Sequence, residues 1–151
     1  MKVAALISGG VDSSTALQLL AQNPEIEVTA FYLKIWLEEE LSFLGDCPWE
    51  EDIHYAQTIC KKLGIALKII PLQTEYRENI VEFALNELRA GHTPSPDIFC
   101  NQRIKFGAFL DRLDRSYDKI ASGHYAQIVC RSGKYLLREA PDPVKDQTYF
   151  L

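Results

Sequence analysis

The sequence predicts an α/β fold: a doubly wound parallel sheet of about five strands, with helices on both faces and an added hairpin. Three observations predict it. Short apolar runs at 3–7, 27–34, 65–71 and 118–121 alternate with segments of helical periodicity. The first run ends at Ser8-Gly9-Gly10, a turn of the kind that joins a buried strand to a helix. The chain of 151 residues, 47% hydrophobic and 25% charged, has the size and composition of one globular domain with a substantial core.

In chain order, "VAALI" at 3–7 is the first strand. Asp12 and Ser13 open the first helix, with Ala16, Leu19 and Leu20 on one face, and Asn23-Pro24 stops it. Residues 27–34 make the second strand, and the acidic run Glu38 to Glu40 reads as a solvated loop. Pro48 suits a first helical turn. Ile53, Ala56, Cys60 and Leu63 then follow at helical spacing until Gly64 caps the C-terminus. Residues 65–71 form the third strand, ended by Pro71. A helix from about Glu75 to Ala90 stops at Gly91. The stretch 92–99, containing Pro94 and Pro96, is expected to be a loop, with a helix starting near Cys100 and marked by Phe106, Phe109, Leu110 and Leu113. Residues 118–121 are the fourth strand. Ala126 to Cys130, Ser132-Gly133 and Tyr135 to Arg138 form the hairpin. The final "KDQTYFL", without a terminal helix or polar tail, reads as a chain cut rather than finished.

No apolar run reaches the roughly 18 residues of a membrane span, and charged and Gly-Gly positions interrupt any signal-like start. A cytoplasmic setting with no membrane partner is expected. Cys47, Cys60, Cys100 and Cys130 include no CxxC pair, so neither a zinc set nor a disulfide framework is indicated. Cys60 and Cys130 fall on apolar faces and read as core; Cys47 reads as exposed, without a role. The net charge is −5, but residues 1–75 hold 5 Lys/Arg against 11 Asp/Glu, whereas 76–151 hold 11 against 10. A nucleic acid, if bound, should meet the second half. Arg103, Lys105, Arg112 and Arg115 lie in or beside one basic helix, which serves either as a solvated face or as a phosphate-backbone contact.

"SGGVDSS" at 8–14 lies between the first strand and the first helix, outside the carboxyl end of the sheet, where such folds bind ligands. Gly9 and Gly10 let a phosphate approach the backbone, and the helix N-terminus favours an anion. Ser8, Ser13 and Ser14 add hydroxyls. Asp12 either helps hold magnesium or caps the helix. The loop lacks the GK[ST] ending of a Walker loop and the third glycine of a dinucleotide fingerprint.

The same loop resembles the pyrophosphate loop of the N-type ATP pyrophosphatases, which have the adenine nucleotide alpha hydrolase-like fold and cleave ATP between its α and β phosphates. "TPSPDIFCNQRIKFG" (93–107), "ASGHYA" (121–126) and "KDQTYFL" (145–151) narrow the resemblance. The chain is similar, over nearly its whole length and in the same motif order, to the tRNA-specific 2-thiouridylase family, which sulfurates the wobble uridine of certain tRNAs. That resemblance implies an ATP site at Leu6, Ile7, Ser8, Gly9, Gly10, Val11, Asp12 and Ser13, joined by Leu33 and Gly123. It implies that Ser95, Pro96 and Asp97 meet the target base, and that His124, Lys145, Asp146 and Gln147 face tRNA. Cys100 is the implied first catalytic cysteine. ATP and Mg2+, tRNA and a persulfide sulfur-donor protein are the implied cofactors and partners. The chain has Ser95 where the family has Asn, a shorter hydrogen-bonding group. The family's persulfide-carrying cysteine, its tRNA-binding middle domain and its C-terminal β-barrel are expected beyond this N-terminal catalytic domain.

The implied chemistry is consistent in itself. Transfer of AMP to uridine O2 turns a poor leaving group into a good one, and magnesium offsets the phosphate charge. A persulfide-derived sulfur then displaces AMP. Cys100 at a helix start would have a lowered thiol pKa, helped by Arg103 and Lys105 and opposed by Asp97. Asp97 is placed to act as general acid or base on the ring. Two other readings stand beside this one: an ATP pyrophosphatase of amidotransferase or synthetase type, which needs no Cys100, and a non-catalytic nucleotide-binding module.

Overall fold

A computed structural model describes residues 1–35 and 48–150. The acidic run at 38–40 and Cys47 lie outside the described residues. Four parallel strands form the sheet: β1 (Lys2–Leu6), β2 (Glu27–Lys34), β3 (Leu67–Pro71) and β4 (Lys119–Ala121), in spatial order β3-β2-β1-β4. The order reverses between β1 and β4, so the crevice of this fold class opens there. The sheet has four strands rather than the expected five or so. The next two, β5 (Gln127–Arg131) and β6 (Lys134–Arg138), pair antiparallel with each other. Ser132 and Gly133 both take positive φ, 50° and 74°, in a two-residue turn. Such a turn leaves no room for the crossover that a parallel addition needs.

Side-chain alternation along the strands builds two cores. Ala5 and Ile7 on β1 and its extension, with Ala30 and Tyr32 on β2, meet Leu17 of α1 (Val11–Ala21) and Ala56 and Cys60 of α2 (Pro48–Leu63). Ala4, Leu6 and Phe31 point to the other face and meet Leu72, Ile80, Ile104 and Phe109. That second layer is two composite helices. The first, α3, joins Gln73–Tyr76, a π-wound Arg77–Val81 and Glu82–Arg89. The second, α4, joins Pro96–Phe99, a π-wound Cys100–Ala108 and Phe109–Arg112. Phe109 meets Phe31 edge-on at 5.2 Å between ring centroids. Both faces of the sheet are covered, as the doubly wound class requires.

Several expectations change. Helix α4 begins at Pro96, not near Cys100, because proline is well placed in a first turn, where its missing N–H is no loss. The expected loop therefore shortens to 92–95. Leu17, not Leu19, is the buried leucine of α1; Leu19 is 63% exposed. Cys60 is buried as expected, but Cys130 is exposed, since no described layer covers the hairpin, where Ile128 is 74% exposed.

The basic face of α4 is largely occupied by the fold. The Arg103 guanidinium lies 4.6 Å from the ring centroids of both Phe83 and Phe99, and its Nη1 donates to the Asn79 carbonyl at 3.0 Å. Arg112 donates to the Pro71 carbonyl and pairs with Glu75. Arg103 and Arg112 both tie α4 to α3, although Arg112 does so from an exposed position. Arg103→Lys is expected to lower stability by about 1–2 kcal/mol in urea denaturation, because a lysine keeps the charge but loses the planar stacking and the fixed hydrogen bond.

Candidate functional site

The turn after β1 is made by hydroxyls and by two glycines that have no room for a side chain. Ser13, the one buried polar side chain among the described residues, donates from Oγ to the Gly10 carbonyl at 3.0 Å. The same Oγ accepts from the Ser8 N–H at 3.2 Å and pairs with Ser8 Oγ at 3.2 Å. Ser14 Oγ donates to the Gly10 carbonyl at 2.7 Å. Gly10 is the N-cap and no side chain caps the helix, so Asp12 is not a cap. It stands in the first turn with its carboxylate exposed. Gly9 has φ 86°, and a Cβ there would stand 2.5 Å from the Asp52 carbonyl oxygen. As in any α-helix, the first N–H groups of α1 have no acceptor within the helix.

The second wall is the segment after β4. A Cβ on Gly123 would lie 2.5 Å from the Asp12 carbonyl carbon and from the Ser13 nitrogen. Only a glycine lets this backbone rest on the Asp12–Ser13 peptide. Two residues on, the Tyr125 hydroxyl donates to Asp12 Oδ1 at 3.1 Å. The Lys145 ammonium sits 5.0 Å from the Tyr125 ring centroid, and its pKa is held above the usual range chiefly by Tyr125, with Asp12 adding to the effect. The Ala126 N–H donates to His124 Nδ1 at 3.0 Å, which fixes the neutral tautomer with its proton on Nε2. That Nε2 is buried and has no hydrogen-bond partner.

Two adjoining cavities open between these walls. The larger, about 280 Å³, is lined by Leu6, Ile7, Ser8, Ser13, Leu33 and Gly123 among the expected nucleotide residues. Tyr32, Ile35, Asp52, Ile104, Lys105 and Ser122 line it as well. The smaller, about 200 Å³, is lined by Asp97, Cys100, Gly123, His124 and Gln147, with Asn101, Lys105, Phe106 and Ser122. Cys100 lines both. Ser95, Pro96, Lys145 and Asp146 line neither, and Gly9 and Val11 border a separate groove between α1 and α2. Gly10 and Asp12 stand at the loop without lining either cavity.

Cys100 corrects a further expectation. It sits one turn inside α4, with its N–H already bonded to the Pro96 and Asp97 carbonyls, so no free helix terminus acts on its sulfur. Burial pushes the thiol above its ordinary pKa; Lys105 pulls it back and Asp97 pushes it further up. Arg103, turned toward Phe83 and Phe99, takes no part. Neither Cys60 nor Cys130 lines either cavity. Among the described residues no cluster of three or more His, Cys, Asp or Glu could hold a metal ion, and no helix is long and apolar enough to cross a membrane.

A four-stranded parallel sheet whose order reverses beside β1, with a serine-glycine loop and a cavity at that reversal, defines a doubly wound α/β domain of the adenine nucleotide alpha hydrolase type. The chain belongs to the tRNA methyl transferase HUP domain family, whose description matches residues 1–151. It is 43% identical over 151 residues to the tRNA-specific 2-thiouridylase MnmA 1 of Bacteroides thetaiotaomicron, covering 100% of this chain and 42% of that protein. It is 44% identical to the tRNA-specific 2-thiouridylase MnmA of Porphyromonas gingivalis, covering 41% of it. The chain thus spans about two fifths of the length of these curated relatives. Among solved structures it is similar in fold to the U34-tRNA thiolase NcsA of Methanococcus maripaludis, with a TM-score of 0.52, 23% identity, and coverage of 82% of this chain and 38% of that one.

Proposed function

We propose that this chain is the ATP-pyrophosphatase part of a tRNA uridine 2-sulfurtransferase, acting on the wobble uridine. The observation that supports this most is the place of Cys100: one thiol borders both a cavity beside the serine-glycine loop and a second cavity beside Asp97 and His124. A nucleotide in the first and a base in the second would meet at the sulfur. The names and identities of the curated relatives support the same reading.

In this reading Ser8, Ser13 and the first N–H groups of α1 receive the phosphates, and Leu33 and Tyr32 flank the adenosine. The Asp12 carboxylate, exposed in the first turn of that helix, is a hard oxygen donor suited to magnesium, which offsets phosphate charge when bound. Uridine O2 attacks the α phosphate and pyrophosphate leaves. A sulfur nucleophile then adds at C2, and AMP departs with the former O2. Asp97 moves the ring proton, and the His124 Nε2–H offers a hydrogen bond to the base. A persulfide-bearing donor protein passes its outer sulfur to a second cysteine outside this chain. The Cys100 thiolate attacks the inner sulfur of that persulfide, and its S–S bond breaks to release the hydrosulfide that adds at C2. The two cysteines are left as a disulfide that an external thiol reduces before the next turnover. Ser95, Lys145 and Asp146, outside the cavities, meet the tRNA around the base.

Titration calorimetry tests the nucleotide half. The isolated chain is expected to bind ATP with magnesium, and Asp12→Ala to weaken that binding about tenfold or more. With a sulfur donor and tRNA the isolated chain is expected to yield no thiolated product. Robust product from these 151 residues would contradict the proposal. ATP bound without any turnover to AMP by the whole protein would favour a non-catalytic module.

A further inference from the structure

We propose that Lys105 is a charge-stabilising residue of the reaction, one ammonium at the seam of the two cavities that serves the Cys100 sulfur on one side and a nucleotide phosphate on the other. The assignment rests on the reading of the larger cavity as the nucleotide site.

Four residues line both cavities: Cys100, Lys105, Ser122 and Gly123. Lys105 is the only lysine or arginine among the lining residues of either. Both processes assigned to this place create negative charge. Deprotonation of the thiol sends a proton to water and leaves a thiolate. Attack on the α phosphate loads its free oxygens before pyrophosphate leaves. An ammonium between them opposes both charges from one position.

The winding of α4 is what brings lysine and cysteine together. Five residues apart on an α-helix of 3.6 residues per turn, they would point about 140° away from each other. The segment Cys100–Ala108 is π-wound, with hydrogen bonds to the fifth residue, so its turns hold more than four residues. Residues five apart then fall near one face. Asn101, four residues before Lys105, lies beside it as well, and its Oδ1 accepts from Lys105 Nζ at 2.8 Å. That bond aims the ammonium with a neutral acceptor. Among the described residues no carboxylate forms an ion pair with Lys105, and an ammonium has three donors to give.

The groups around the sulfur explain why a cation is needed. Burial disfavours the thiolate; Asp97 on the same helix adds negative charge, and the Tyr76 hydroxyl of α3 also faces Cys100. From other elements Asp52 of α2 lines the larger cavity and His124 the smaller. Of the charged groups acting on Cys100, Lys105 is the one that favours its thiolate.

The experiment is alkylation of Cys100 by iodoacetamide across a pH series, read by mass spectrometry on the Cys100 peptide, since Cys130 is exposed and reacts independently. Wild type, Lys105→Gln and Lys105→Arg are compared, each checked for folding by circular dichroism. Lys105→Gln is expected to raise the midpoint by about one pH unit, a tenfold loss of thiolate near neutrality, with Lys105→Arg close to wild type. Coincident midpoints for wild type and Lys105→Gln overturn the assignment. If Lys105→Gln fails to fold, Lys105→Met, which keeps the aliphatic stem, takes its place. If both fail, a raised midpoint in Lys105→Arg overturns it. ATP affinity is measured on the same proteins and is expected to fall about tenfold in the neutral variant. A shifted midpoint with unchanged ATP affinity overturns the phosphate half alone. Wild type that binds no ATP defeats the proposed function while the thiol result stands on its own.

Discussion

Cys100→Ser is expected to reduce thiolated uridine by at least about a thousandfold in the whole protein supplied with tRNA, ATP and a sulfur donor, as measured by mass spectrometry of digested tRNA. A serine hydroxyl neither ionises near neutral pH nor exchanges with a persulfide, so both tasks open to a thiol at this place are lost. Binding is a separate matter. Cys100 is one of many residues around the larger cavity, and serine differs by one atom, so ATP affinity should change by less than about threefold. The split between lost product and retained binding is the signature to look for. Unchanged thiolation would remove the Cys100 thiol from the mechanism. Because the thiol of the native residue is half-buried and held above its ordinary pKa, product formation in wild type should rise with pH through the neutral range as the thiolate fraction grows.

Gly123→Ala is expected to abolish detectable ATP binding, a loss of at least about a hundredfold, and to destabilise the fold by roughly 1–3 kcal/mol. The added methyl would stand 2.5 Å from the Asp12 carbonyl carbon and the Ser13 nitrogen and 2.6 Å from the Asp12 carbonyl oxygen. These are backbone atoms, so no side-chain rotation relieves the overlap. Either β4 withdraws from β1 or the first turn of α1 moves. The first choice opens the sheet edge; the second displaces the N–H groups proposed to receive phosphates. Calorimetry with ATP and thermal melts read the two effects together. A variant that melts and binds ATP like wild type would mean that this contact is not made in solution.

The parts of the fold legible in the sequence are those with local causes. The run at 3–7, closed by Ser8-Gly9-Gly10, has one reading, and the structure has it. Cys60 was placed in the core by its spacing with Ile53 and Ala56. What failed had two local readings. Pro94 and Pro96 both suggest a loop, and only the packed structure shows Pro96 starting α4. The 128–130 alternation promises a buried face, but burial needs a covering layer, and the hairpin has none among the described residues. Reading Pro96 as loop is also what puts the thiol at a helix start, and the π winding at Cys100–Ala108 carries no residue preference to detect. Among the residues lining the two cavities, Ser8, Ser13, Cys100, Asp97 and His124 lie in motifs legible in the sequence. Asp52 and Tyr32 reach the cavity through tertiary packing alone, from α2 and from a strand position that looked like ordinary core. Ser122 carried a signal, its place just past β4 and before Gly123, where this fold puts its ligands.

The short edge strand β4 has a meaning for how the protein folds. Strands β1 to β3 and the helices between them come from residues that precede 72, and their pairings close modest loops. Joining β4 to β1 ties the two ends of the chain's fold together: Lys2 N–H donates to Asp118 Oδ2 at 2.7 Å across a separation of 116 residues. Loop closure over that span carries the largest entropic penalty in the sheet, and distant pairings of this kind slow folding. The cavity is complete only after that step, because Ser122 and Gly123 arrive with β4. A nucleotide bound as proposed would therefore be a ligand of the fully closed chain, and by mass action it would stabilise that chain against every state in which β4 is undocked.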